Sequence, residues 1–130
     1  MIDLVKKYLI GLQQSICSEV ELIEGGAKFA QDSWTRVDKR GSGLTNILSN
    51  GNIFEKGGIN YSIITGDKMP KSATALRPEL EGRKYTALGV SLVLHPENPF
   101  IPTAHANVRF FIAEEQGKNP IWWFGGGFDL

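Results

Sequence analysis

The chain reads as α+β, an antiparallel β-sheet flanked by helices. Apolar residues recur at three-and-four spacing near the start, as on one face of a helix. Later segments alternate apolar and polar residues, the period of half-buried strands. Turn residues separate these segments, with little βαβ alternation, so strands that follow one another pair antiparallel.

A length of 130 residues fits a single domain, 1–130, with a modest core. Fourteen basic side chains balance fourteen acidic ones. No overall field therefore draws in nucleic acid or an anionic membrane, and an anionic ligand has to be held locally. The lone Cys17 excludes an internal disulfide and a cysteine-rich metal cage, which suits a reducing cytoplasm; it reads as a small helix residue. No apolar run reaches the length of a membrane span, and MIDLVKKYLI lacks the layout of a signal peptide. The expected location is cytoplasmic.

Residues 3–24 form the predicted helix, with Val5, Tyr8, Leu9, Leu12, Ile16, Val20 and Ile23 on its apolar side, Asp3 as N-cap and Gly25-Gly26 as stop. Residues 27–41 suit a strand followed by a turn. The glycine-rich stretch 41–58 reads as short apolar pieces broken by turns; it contains neither GxxxxGK[ST] nor the third glycine of a dinucleotide fingerprint, so phosphate binding is disfavoured. Residues 59–65 alternate as a strand, with Ile59, Tyr61 and Ile63 opposite Asn60 and Ser62. Residues 66–84, with Pro70, Pro78, Arg77 and Arg83, read as a charged surface connection holding a short helical turn. The end, PIWWFGGGFDL, is an apolar strand running into three glycines.

The chemistry concentrates between Tyr85 and Phe128. Leu88, Val90, Leu92 and Leu94 share one face, leaving Gly89, Ser91 and His95 on the other; Val108, Phe110 and Ile112 likewise oppose His105, Asn107 and Arg109. Pro96, Pro99 and Pro102 make residues 96–103 a stiff loop between antiparallel strands, flanked by the two histidines. Arg109 beside Asn107 suits a planar carboxylate, because guanidinium forms two parallel charge-assisted bonds to it; the alternative is pairing with a neighbouring acid. Either histidine suits a general acid or base, or a structural hydrogen bond at a strand end. His95, Glu97 and His105 are the nearest candidate metal set, with nonspecific spacing. Trp122 and Trp123 read as core rather than a stacking platform.

The run SLVLHPENPFIPTAHANVRFFIAEE, followed by NPIWWFGGGFDL, closely resembles the oxygen-dependent coproporphyrinogen III oxidases of haem biosynthesis. Earlier pieces agree in order: DSW-x-R at 32–36, IFEKGGINYS at 53–62 and MPKSATALRPELEGRKYTALGVS at 69–91. The resemblance implies oxidative decarboxylation of two propionates of coproporphyrinogen III to vinyl groups, giving protoporphyrinogen IX with O2 as co-substrate and no organic cofactor. It implies Ser91, Asn107, Val108 and Arg109 as substrate-binding residues, His105 as proton donor, and His95 and His105 as ligands of a divalent metal in some members.

The resemblance further implies a homodimer, and members that continue well beyond FGGGFDL, so this chain is expected to be the N-terminal portion of the fold. Alternatives are a non-catalytic fragment with weak porphyrinogen binding and a small metal-binding or interaction module. The exposed Trp- and Phe-rich final strand is expected to self-associate. Where the family shows Ser-Arg-Val, this chain reads Thr45-Asn46-Ile47, so an arginine able to meet a propionate is expected to be missing.

Overall fold

Six strands lie side by side in chain order, every neighbouring pair antiparallel. They are β1 (Ala30–Thr35), β2 (Gly41–Ser49), β3 (Phe54–Gly66), β4 (Lys84–Pro96), β5 (Ala104–Glu114) and β6 (Ile121–Asp129). Helix α1 (Ile2–Glu24) precedes them, and a four-residue helix α2 (Lys71–Thr74) and a 3-10 turn (Pro78–Leu80) sit between β3 and β4. The computed structural model describes all 130 residues. Turns placed where the chain can reverse enforce this up-and-down order: Lys39, Asn50 and Gly117 take positive φ in the β1–β2, β2–β3 and β5–β6 connections. The proline-rich segment 97–103 joins β4 to β5, as the sequence predicts.

The glycine-rich stretch departs from expectation, because most of it is strand rather than turn. Gly41 and Gly43 lie within β2, and a Cβ at either would collide with the side chain of Arg36 or Trp34, which lie across them. The glycines there create seats on a pleated surface. Similarly Gly125–Gly127 lie inside β6 rather than after it, and a Cβ at Gly126 would approach the Asn107 carbonyl to 2.5 Å.

One sheet face is dry. Leu48, Ile59, Tyr61, Leu88, Val90, Phe110 and Ile112 form a continuous core with Leu9, Cys17 and Val20 of α1. A smaller cluster around Met69, Leu80 and Ala113 anchors the α2 segment against the far end of β5. Arg83, expected on a surface connection, is instead 7 % exposed: its guanidinium donates to the carbonyls of Glu79 (3.1 Å) and Asn119 (2.9 Å) and ties that segment to the β5–β6 turn.

The buried line of α1 is Leu9, Gln13, Cys17, Val20 and Glu24, so it includes two polar residues and shares only Leu9 and Val20 with the predicted apolar side. Tyr8 and Ile23 are exposed, and Asp3 lies in the first turn rather than capping it. Gln13, fully buried, donates from Nε2 to the carbonyls of Leu44 (2.7 Å) and Ile59 (2.9 Å), keying helix to sheet. Asn46 donates to the Cys17 sulfur at 3.2 Å, and burial pushes that thiol's pKa up, which agrees with a structural cysteine.

Glu24 ends the seam. Its carboxylate accepts from the main-chain amides of Gly26 (3.0 Å), Ala27 (2.8 Å), Ile53 (2.7 Å) and Phe54 (3.2 Å), clamping the helix end to the β2–β3 turn. Gly51 is required beside it, since a Cβ there would fall on the carboxylate. Gly25, left-handed at φ 71°, terminates the helix as predicted.

Two outcomes follow from this core. Leu9→Ala, at a site 2 % exposed, is expected to cost about 3 kcal/mol, read from the denaturant midpoint. The four amides, that of Ile53 foremost, hold the Glu24 pKa below its ordinary 4.5, so its contribution is present above that pH and is lost as pH falls through the lower native value. Unfolding midpoints should therefore drop on acidification below that range. Glu24→Gln should lower stability at neutral pH and flatten the acid limb.

Candidate functional site

The sheet face away from α1 carries the polar residues, in rows that the register makes explicit. Thr45, Asn60, Ser91, Asn107 and Gly127 stand abreast across five strands, and Gly43, Ser62, Gly89, Arg109 and Gly125 form the adjacent row. Toward the β4–β5 loop, Gly58, Val93, His105 and Asp129 follow. Side chains of one strand parity are thus collected into a floor of small residues from which Arg109, Asn107 and His105 rise.

Arg109 stands between Gly89 and Gly125, and no acidic residue forms an ion pair with it. That favours the ligand reading over pairing with a neighbouring acid. Asn107 has its Oδ1 buried without a hydrogen-bond partner, although Ser91 lies directly across the strand. A shallow concavity of 360 Å³ lies over these groups, lined by Ser62, Gly89, Ser91, His105, Asn107 and Arg109 among others.

The floor has built edges. On the β1 side Trp34 lies over Gly43, and its indole N–H donates to Thr45 Oγ1 at 3.1 Å. At the far end of β4–β6, Tyr85, Phe111 and Trp123 stack in series with ring centroids 5.7 and 4.5 Å apart, and the Arg77 guanidinium sits 4.9 Å from the Trp123 centroid. Trp123 is thus part of a packed aromatic edge, whereas Trp122 is 47 % exposed on the opposite face rather than core.

The structure brings Ser91, Asn107, Arg109 and His105 together. Val108 does not join them through its side chain, which shares the helix-side parity of Phe110 and is 43 % exposed; its carbonyl borders the floor next to Gly89. His95 lies at the loop rim, with Nδ1 3.3 Å from Thr103 Oγ1 and Lys56 across the strand. Nowhere do three His, Cys, Asp or Glu side chains gather, and His95, Glu97 and His105 do not form such a group.

Position 46 is also resolved by parity. Asn46 is 5 % exposed, on the helix face and bonded to Cys17, so an arginine in its place would not stand on the polar floor. Sequence reasoning missed Asp129, which the register sets directly across from His105 on the same face. It also missed Ser62 and Trp34 as floor and wall. Extending the alternation of 59–65 and of DSW-x-R to the polar parity is the signal that finds them.

A larger concavity of 840 Å³ opens on the helix side, between α1 and β5–β6. Its lining is dominated by Leu9, Leu12, Ile16, Val90, Leu92 and Phe124. Asn107 and Arg109 border it as well, but Ser62, Ser91 and His105 do not, so the polar groups converge on the floor.

A family model for coproporphyrinogen III oxidase matches residues 4–130. The chain belongs to that family. Membership makes it part of an enzyme family of porphyrin biosynthesis, whose substrate is coproporphyrinogen. A small-residue floor carrying an unpaired guanidinium is the kind of surface a broad, carboxylate-bearing ring can lie on. No helix of this family member is long and apolar enough to cross a membrane.

Because Asn107 Oδ1 has no bond to lose, Asn107→Ala should change the thermal midpoint of the free protein little while weakening ligand binding. A large loss of stability without ligand would instead make Asn107 a structural residue.

Proposed function

We propose that the polar floor binds coproporphyrinogen III and that the chain serves its oxidative decarboxylation with O2 as electron acceptor. The observation carrying this reading is Arg109, unpaired among glycines beside the unsatisfied Asn107 and Ser91. Each turnover converts a propionate, R–CH2–CH2–COOH, and O2 into R–CH=CH2, CO2 and H2O2. The C–COOH bond and one C–H bond next to the ring break, and their two electrons reduce O2.

In this reading Arg109 holds a propionate by paired charge-assisted bonds and fixes the ring over the floor. Gly89 and Gly125 leave the macrocycle free to approach the main chain, while Ser91 and Asn107 offer acceptors to pyrrole N–H groups. His105 is the proton donor, with Asp129 directly across the strand pair from it. Loss of a pyrrole proton makes the ring electron-rich enough to react with O2. No organic cofactor is needed for this sequence, and no step is assigned to a metal. The reaction is placed in the cytoplasm. A homodimer is proposed through β6, an edge strand with Phe124 and Phe128 exposed.

Anaerobic titration with coproporphyrinogen III should saturate, and Arg109→Ala should weaken it about ten-fold, the loss expected for a charged hydrogen bond. Admission of air should then yield protoporphyrinogen faster than in buffer. Equal affinity of wild type and Arg109→Ala would overturn the site.

A further inference from the structure

We infer that Arg36 is a second carboxylate anchor, placed at the β1 edge of the floor opposite Arg109. The inference rests on the ligand reading given above and adds a residue to it. Arg36 follows β1 directly, and its main-chain N–H donates to the Gly41 carbonyl at 2.7 Å, continuing the ladder by one step. It therefore has the parity of Trp34, which lies over Gly43 on the polar face. A Cβ built on Gly41 would stand 2.6 Å from Arg36 Cδ and 3.3 Å from its Cγ, so the aliphatic stem lies across β2 and leans inward over the floor. Gly41 is the seat that permits this direction.

The chemistry asks for such a group. A tetrapyrrole with four propionates presents carboxylates at several edges, and Arg109 is a single guanidinium near one side of the sheet. Four strand spacings separate β1 from β5, about 19 Å between backbones. Two long side chains leaning toward each other across that span bracket a ring lying between them.

Arg36 is engaged only by Asp38, with Nη2 2.9 Å from Oδ2 and both side chains about half exposed. An exposed pair of this kind contributes little to stability, and it occupies one nitrogen of a fork with five N–H donors. The guanidinium is thus held at the floor's edge with donors to spare. Of the neighbouring arginines, Arg40 is paired with Asp67, and Arg77 is stacked on Trp123 and paired with Glu79. The position equivalent to the arginine absent at 46 faces the helix, so Arg36 supplies positive charge on the polar face that position 46 cannot.

The test is anaerobic equilibrium binding of coproporphyrinogen III to wild type, Arg36→Ala, Arg36→Lys, Gly41→Val and Arg109→Ala, with thermal midpoints checked in parallel. Arg36→Ala is expected to weaken binding about five- to ten-fold, with Arg36→Lys recovering most of it. Gly41→Val, which keeps the charge but blocks its seat, should weaken binding similarly. Affinity within two-fold of wild type in Arg36→Ala, together with a clear loss in Arg109→Ala, would overturn the second anchor and leave the floor reading standing. Equal binding by all variants, or none by wild type, would overturn both. Weakened binding by Arg36→Ala without recovery by lysine and with a lowered midpoint would assign Arg36 to the β1–β2 turn and also overturn the inference.

Discussion

From β2 to β6 the main-chain ladder crosses four strand pairs with a single irregularity, at Phe54/Lys56 near the start of β3. Everything else in the molecule depends on that register. Side chains alternate faces at every step, so a slip of one residue in β4 alone would bury Ser91 and Gly89 and expose Leu88 and Val90. Because Leu88 and Val90 are at most 3 % exposed, such a slip would forfeit buried side chains that contribute about 2 kcal/mol each. The core thereby fixes the polar face, although it touches none of its side chains.

Helix α1 is matched to this sheet by polar contacts as well as apolar ones. Leu9, Cys17 and Val20 supply dry contact, but Gln13 and Glu24 determine where the helix lies, because their partners are main-chain groups at fixed places. Apolar packing tolerates small sliding, whereas hydrogen bonds to Leu44, Ile59, Ile53 and Phe54 do not. Burying these two side chains is tolerable because most of their hydrogen-bonding atoms are met; Gln13 Oε1 is the exception.

The polar face is built largely by subtraction. Gly43, Gly89, Gly125 and Gly127 keep the two central rows low, and larger residues are confined to the margins, where Trp34 and the Tyr85–Phe111–Trp123 stack stand. Arginine on such a floor keeps its guanidinium free, since no acid stands next to it in the row. The same glycines that weaken strand propensity in sequence therefore keep this surface low and open.

Much of this was legible in the chain itself. Alternation is a local property, so the parities of 59–65, 88–95 and 105–112, and hence the grouping of Ser91 with His95 and of His105 with Asn107 and Arg109, followed from spacing alone. The helix and its glycine stop were equally local, and the long motifs carried the family. Tertiary structure decided what depends on partners distant in sequence. Only the register could set Asp129 against His105, and only packing could show that Gly41 and Gly43 are seats within a strand. Likewise Arg83 and Glu24 look like surface charges in sequence, because the carbonyls and amides that satisfy them lie on other segments. Position 46 is the clearest case: its residue type is read from the chain, but its face is set by two neighbouring strands and a helix, and that face removes it from the site.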